Sequence, residues 1–228
     1  MSTWAVARLI VRKDLRIERR SRVVTNQVLP FAGVTMVIFA FALDANTDVL
    51  SRVAPGLVWL ATMFSLLILV QRSFAVESDD GALDAMRVAG VDARAIFVGK
   101  AIGLALQLLV LEVLLLVAAV VLYGETVRAE GFVLLVTTMI SATCGLAAVG
   151  TLYGGLAAGI KGRETLLPLL TLPAVAPVLI GATRAVESAL GTNDAAVSEG
   201  WQWVSLLAVF AVAFGVAGVL AFGPLIDE

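Results

Sequence analysis

Histidine is absent from the 228 residues, and cysteine occurs once, at Cys144, inside an apolar run. The commonest general base is therefore missing. An intrachain disulfide is impossible, and no Cys/His metal set can be assembled. The nearest approach to a phosphate-binding loop, Gly154 to Lys161, lacks the Gly-Lys-Ser/Thr order of a Walker A sequence. CxxC, HExxH and GxSxG do not occur. This inventory argues against an enzyme acting alone, and Cys144 is expected as a small buried hydrophobe.

What remains is one isolated acid and two charged clusters. Glu112 stands in the middle of a long apolar run. A charged side chain at the centre of a membrane span costs at least about 2.5–3.5 kcal/mol, so such a group faces a bundle interior or a cavity. It reads as a substrate contact, a proton carrier or a partner for another subunit, or else as a protonated carboxyl bonded to a neighbouring helix. Gln107 is a candidate companion on an adjacent face.

The first cluster is the segment Glu77 to Lys100, ESDDGALDAMRVAGVDARAIFVGK, which separates two apolar blocks. Connections between packed helices usually run to about two to eight residues, so a longer polar link is expected to have structure of its own. Leu83, Met86, Val88 and Val91, with Asp79, Asp80, Asp84 and Arg87 between them, read as a short amphipathic helix. Its acids fall in the first turn, where the helix dipole favours them, and Gly90 ends it. The reading is a cytoplasmic coupling helix that docks on a partner.

The second cluster opens the chain. On a helix, Arg8, Arg12, Lys13, Arg16, Arg19 and Arg20 fall within an arc of roughly 140°. Trp4, Val6, Ile10, Val11, Leu15 and Ile17 take the remainder, with Asp14 and Glu18 among them. A basic face opposite an apolar one describes a helix lying in the membrane interface. It anchors the first span as an elbow; its cations meet a cytoplasmic partner, anionic lipid, or both.

The elements that must hold these groups follow from composition. Hydrophobic residues make up 60% of the chain and the mean hydropathy is +0.99, with the excess gathered into blocks of about twenty residues, the length that crosses a hydrocarbon core. Continuous rather than alternating runs exclude an outer-membrane barrel. The expected fold is an all-α polytopic membrane protein with six transmembrane helices: Val24–Leu43, Val53–Val70, Ala101–Leu122, Phe132–Tyr153, Leu166 to about Ala182, and Val204–Phe222. No cleavable signal peptide is expected, because the charged N-terminal region is too long and the first apolar run is a full span. Residues 1–228 form one transmembrane domain, with 1–23 as the elbow and 71–100 as the coupling loop.

Orientation follows from lysine and arginine. Seven lie in the N-terminal segment, four in the Gln71–Lys100 loop and two in the Gly154–Thr165 loop. Against those thirteen stand three on the other side, Arg52, Arg128 and Arg184. Both termini and the coupling loop are therefore expected in the cytoplasm. Gly150-x-x-x-Gly154 and Gly155-x-x-x-Gly159 let helices approach closely, for intrachain packing, a dimer contact or a substrate path. Pro168, Pro173 and Pro177 in the fifth span should bend or interrupt it and free backbone carbonyls.

Six spans, a basic elbow and an acidic-Gly-x-Leu loop between spans two and three resemble the ABC-2-type permeases, and within them the CcmB family of cytochrome c maturation. Four stretches carry the likeness: Arg12-Lys13-Asp14-Leu15-Arg16 with Arg20-Ser21-Arg22; Ala54-Pro55-Gly56-Leu57-Val58-Trp59; Ser78-Asp79-Asp80-Gly81-Ala82-Leu83 with Lys100; and Leu172-Pro173 with Ala176-Pro177-Val178-Leu179-Ile180. The chain departs from the family pattern at Gly90, where a Pro is usual nearby, and at Asp79, where Glu is frequent.

The resemblance implies a permease subunit of the bacterial inner membrane that docks on a CcmA-like ABC ATPase. It also implies association with a CcmC-like haem-handling membrane protein. ATP then belongs to the first partner and haem to the second, and no cofactor is expected on this chain. Membrane lipids are further partners; nucleic acid is not. The residues expected to meet the ATPase are Glu77, Asp79, Asp80, Gly81, Leu83, Asp84, Met86 and Arg87. Either something passes along spans three and five, or the chain only transmits ATPase motion to a neighbour. An ABC-2 exporter of a lipid or other hydrophobic substrate is the alternative reading.

Overall fold

The structure is a computed structural model that describes residues 2–22, 24–43, 46–79, 81, 85–86, 88–123, 128–158, 163–192 and 195–227. At 47, 76, 78–79, 163–164 and 225–227 it describes the backbone only. Among these residues the regular structure is helical. The elements are α1 (Thr3–Ser21), a π-helical turn (Val24–Val28), α2 (Leu29–Ala42), α3 (Thr47–Asp79), α4 (Ala93–Tyr123), α5 (Phe132–Ala158), α6 (Arg163–Leu190) and α7 (Val197–Asp227).

Six helical segments are long and apolar enough to cross a membrane: Val24–Ala42, Asp48–Ala75, Ala93–Tyr123, Phe132–Ala158, Thr165–Leu190 and Val197–Pro224. The chain is a multi-pass membrane protein with α1 outside its spans. Ser2 caps α1, its Oγ accepting the Ala5 amide at 3.4 Å. Arg22, in the left-handed region at φ 52°, closes it by donating its amide to the Glu18 carbonyl at 2.7 Å. Pro30, which has no amide to donate, sits in the first turn of α2 just after the π-turn.

α3 and α5 form the centre of the bundle, and α2 and α7 stand at its edge with most of their surface outward. α5 packs on α7, α6, α4 and α3. Its glycines allow this. A Cβ on Gly150 would stand 2.8 Å from Val70 and 2.9 Å from Leu66; on Gly154 it would stand 2.5 Å from the Phe74 ring. Gly155 turns to α7, where a Cβ would collide with Phe222. These glycines serve packing within the chain, while Gly159 lies outside the described residues. Gly154→Val should therefore overpack the α3–α5 seam at a cost of about 1–3 kcal/mol. The measurement is thermal unfolding of the detergent-solubilised protein; an unchanged melting temperature would refute the seam.

Two expectations change. The coupling loop is shorter than 71–100, because α3 continues to Asp79 and α4 begins at Ala93. Hydropathy ends a span where charge begins, but the backbone ladder continues past that point when the charges find partners. Within the remaining link, Ala85, Met86 and Val88 are helical. The amides of Ala85 and Ala89 donate to the Gly81 and Ala85 carbonyls at 3.0 Å each. Gly90 follows at φ 68°, a conformation that ends a helix and suits glycine. The fifth span, in turn, is not interrupted. α6 runs unbroken through Pro168, Pro173 and Pro177. Each proline removes one amide, so the carbonyls of Glu164, Leu169 and Pro173 lose their helical partners while the remaining ladder holds.

Candidate functional site

The elbow, the end of α3 and the start of α4 meet in a buried set of charges. Lys100 is only 2% exposed. Its ammonium donates to the Ser73 carbonyl at 3.1 Å and the Ser73 hydroxyl at 2.9 Å. It also lies 2.9 Å from Glu77 Oε1, 3.3 Å from Asp14 Oδ2 and 5.1 Å from the centre of the Phe74 ring. Lys13 hydrogen-bonds the same Glu77 oxygen and stands 3.2 Å from Asp14 Oδ1. Two cations and two carboxylates from three elements thus cancel in a place with little water. Desolvation is repaid there only by such mutual pairing. Among the described residues, Glu77 Oε2 finds no hydrogen-bond partner.

Backbone packing brings these groups together. Gly99 and Gly103 face α1, and a Cβ on Gly99 would come within 2.7 Å of Ile10 Cβ and 2.9 Å of the Ala7 carbonyl. Glycine here lets α1 lie directly on α4, with Ala7, Ile10 and Asp14 as the buried seam. Thr3 adds a hydrogen bond to Asp92 at 3.3 Å. Burial lowers the Lys13 pKa, but Asp14 and Glu77 outweigh it and the net shift is upward. Glu18 is also shifted upward, by burial, against the Val24 amide that it accepts at 2.7 Å and the nearby Arg72. A cleft of about 400 Å³ lined by Glu18, Arg72 and Gln107 borders the cluster.

Sequence and structure divide here. Arg12, Arg16, Arg19 and Arg20 lie on the exposed side of α1, but Lys13 turns inward. Glu77, grouped with the docking residues, is 2% exposed and faces the protein interior, because Lys13 and Lys100 hold it there. Gly81 is exposed with φ 62°, and Met86 is half-buried against the core. Asp80, Leu83, Asp84 and Arg87, and the side chain of Asp79, lie outside the described residues. Asp14 and Lys100 are members that a residue-by-residue reading missed. Their signal was an acid on the apolar side of the elbow and a lysine at the head of a span.

A second polar centre lies within the bundle. Glu112 is 1% exposed, and Thr143 Oγ1 on α5 stands 2.8 and 2.7 Å from its two oxygens. The same hydroxyl lies 2.6 Å from the Met139 carbonyl. One hydroxyl proton serves one acceptor at a time, so Thr143 can donate to Glu112 or to the Met139 carbonyl, but not to both at once. Glu112 borders a small apolar pocket lined by Val58, Trp59, Leu116, Met139 and Val186. The buried Trp59 indole N–H has no acceptor among the described residues. Gln107 is not a companion to Glu112; it belongs to the cleft beside α1. Cys144 is exposed on the outer face of α5 rather than buried, which in a membrane is still an apolar setting. The first centre ties α1 to the end of α3 and the start of α4; the second is a buried carboxyl–hydroxyl pair in an apolar interior.

Comparison with known proteins places this architecture. The family described as "CcmB protein" matches residues 5–224. Heme exporter protein B of Paracoccus denitrificans is 28% identical over 211 residues, covering 91% of this chain and 95% of that protein. The Rhodobacter capsulatus protein of the same name is 29% identical over 175 residues, 76% of this chain and 78% of its own. The Escherichia coli K12 protein is 28% identical over 189 residues, 83% of each. With the family match running from the elbow to the last turns of α7, the chain is a multi-pass membrane protein that belongs to the CcmB family.

Proposed function

We propose that this chain is the permease subunit of an ABC-type complex for cytochrome c maturation, seated in a bacterial inner membrane with both termini in the cytoplasm. A separate CcmA-like ATPase docks on the link between α3 and α4. A CcmC-like membrane protein carries the haem, and ATP hydrolysis drives haem delivery or release of the haem-loaded chaperone. Relatives named heme exporter protein B support the haem connection. This chain offers no histidine as an axial ligand, which supports assigning haem to the partner; Met or Tyr would be its weaker alternatives.

The observation that carries the reading is the buried charge set. Lys100 and Glu77 stand at the two feet of the link and share Asp14 and Lys13 of the elbow. Displacement of the link is then passed to α1, α3 and α4 as one body instead of being absorbed locally. Reversing charge at Asp79, Asp80 and Asp84 together is expected to leave the chain in the membrane. In the co-purified complex it should separate ATP hydrolysis from function. A triple variant that behaves like wild type removes the docking assignment. A mild-detergent pulldown checks the partners. An ABC ATPase recovered with a second, haem-absorbing membrane protein supports maturation; the ATPase alone, with this chain dimeric and no Soret band, favours the lipid-exporter alternative.

A further inference from the structure

α2, α3 and α6 leave a groove between them at the end of the bundle away from α1, with about 1290 Å³ of open space. Its walls are apolar, Phe39, Leu60, Leu179 and Ile180, and Trp59 is at its base. Its mouth carries Arg52, Arg184 and Glu187. Arg184 is paired with Glu187 at 2.9 Å. Arg52 is exposed and forms no ion pair among the described residues, not even with Asp48 one turn before it. Among the described residues that line the mouth, two guanidiniums therefore face one carboxylate.

Depth decides what such a mouth meets. Arg52 comes four residues after Asp48, where the apolar span begins, and Arg184 six residues before Leu190, where the fifth span ends. At about 1.5 Å per residue, both guanidiniums start roughly 6–9 Å inside the helix ends, within reach of headgroups through their long stems. The groove also opens sideways, since Ile180 on its wall is 59% exposed. A soluble anion would find no partner for the apolar walls, and a zwitterionic lipid would bring a headgroup cation beside its phosphate, which offsets the attraction to Arg52 that a net-anionic lipid keeps.

We infer that this groove is a selective site for an anionic phospholipid, with its phosphate on Arg52 and Arg184 and an acyl chain running along Phe39, Leu60 and Ile180 toward Trp59. The assignment is independent of what the complex transports and of whether an ATPase docks on the α3–α4 link.

The full chain supplies its own probe. With Trp4, Trp201 and Trp203 changed to Phe, Trp59 is the sole tryptophan. The protein is reconstituted in phosphatidylcholine vesicles containing phosphatidylglycerol or phosphatidylcholine brominated on the acyl chains. Brominated phosphatidylglycerol should quench Trp59 at about five-fold lower mole fraction than the brominated choline lipid, the selectivity expected of one uncompensated arginine near a headgroup. Arg52→Gln with Arg184→Gln should bring the two curves together. Glu187→Gln, which frees Arg184, should widen the gap, a gain that misfolding does not imitate. Equal quenching by both lipids in the parent overturns the site, as does a gap that survives loss of both arginines. Absence of quenching by either lipid overturns it too, because the groove would then be filled by protein.

Discussion

Replacing Lys100 with Met should be the most damaging single change in this chain. It removes the cation that stands 2.9 Å from Glu77 and 3.3 Å from Asp14. It also leaves the Ser73 carbonyl and hydroxyl without their donor. Removing one partner of a buried pair strands the other charge, which costs about 3–5 kcal/mol. Lys13 remains beside both acids, but it is partly exposed, at 39%, and reaches them from the outer side. Lys13→Met should accordingly cost less than Lys100→Met. The measurement is thermal unfolding of the solubilised chain, together with the protease sensitivity of the α1–α4 seam. Adding Glu77→Gln to Lys100→Met should restore part of the loss by removing the stranded carboxylate. If the double variant is no better than the single one, the damage comes from packing and the charge argument fails.

The second large effect concerns Glu112 and Thr143. Thr143→Val keeps the volume near constant but takes away the hydroxyl on which both carboxyl oxygens converge. A buried polar group left without a partner costs about 1–3 kcal/mol. Glu112→Leu on the same background removes the unpaired acid and should recover most of that loss, so the two sites should be coupled in a double-mutant cycle. Glu112→Gln separates stability from use. The amide retains a hydrogen bond to Thr143, and unfolding should be little changed. If the complex depends on the carboxyl proton, its activity falls nonetheless. Normal activity in a stable Glu112→Gln variant assigns the pair to helix packing alone.

Much of the frame was legible from composition, because a membrane constrains segments one at a time. Twenty-residue apolar blocks specify spans whatever their neighbours do, and all six were read from hydropathy. The errors lie where partners are distant in sequence. Lys100 marked the edge of a span by its charge, yet its acceptors Asp14, Ser73 and Glu77 come from two other helices. Glu77 reads as a docking residue of the acidic link for the same reason. Cys144 was assigned to the interior from its residue type, but α5 presents one face outward and the cysteine falls on it. Thr143 carried no signal at all; threonines are common in spans, and only its register opposite Glu112 makes it a partner. The prolines of α6 show the converse. Local rules predict a break, and the surrounding packing keeps the helix whole.

The seam between α1 and α4 also sets an order of events during synthesis. Asp14 and Lys13 leave the ribosome early, long before Lys100 has been translated. Until then Asp14 has only its neighbour Lys13, and Glu77 has no cation from α4. In that interval α1 lacks the partner that fixes it to α4. Its final seating waits for the hairpin of the second and third spans to close, when Lys100 enters between Asp14 and Glu77 and Gly99 meets Ile10. A nascent chain stopped before Lys100 would carry uncompensated acids and a loose N-terminal helix. A docked elbow therefore requires that the helices carrying Glu77 and Lys100 are already in place.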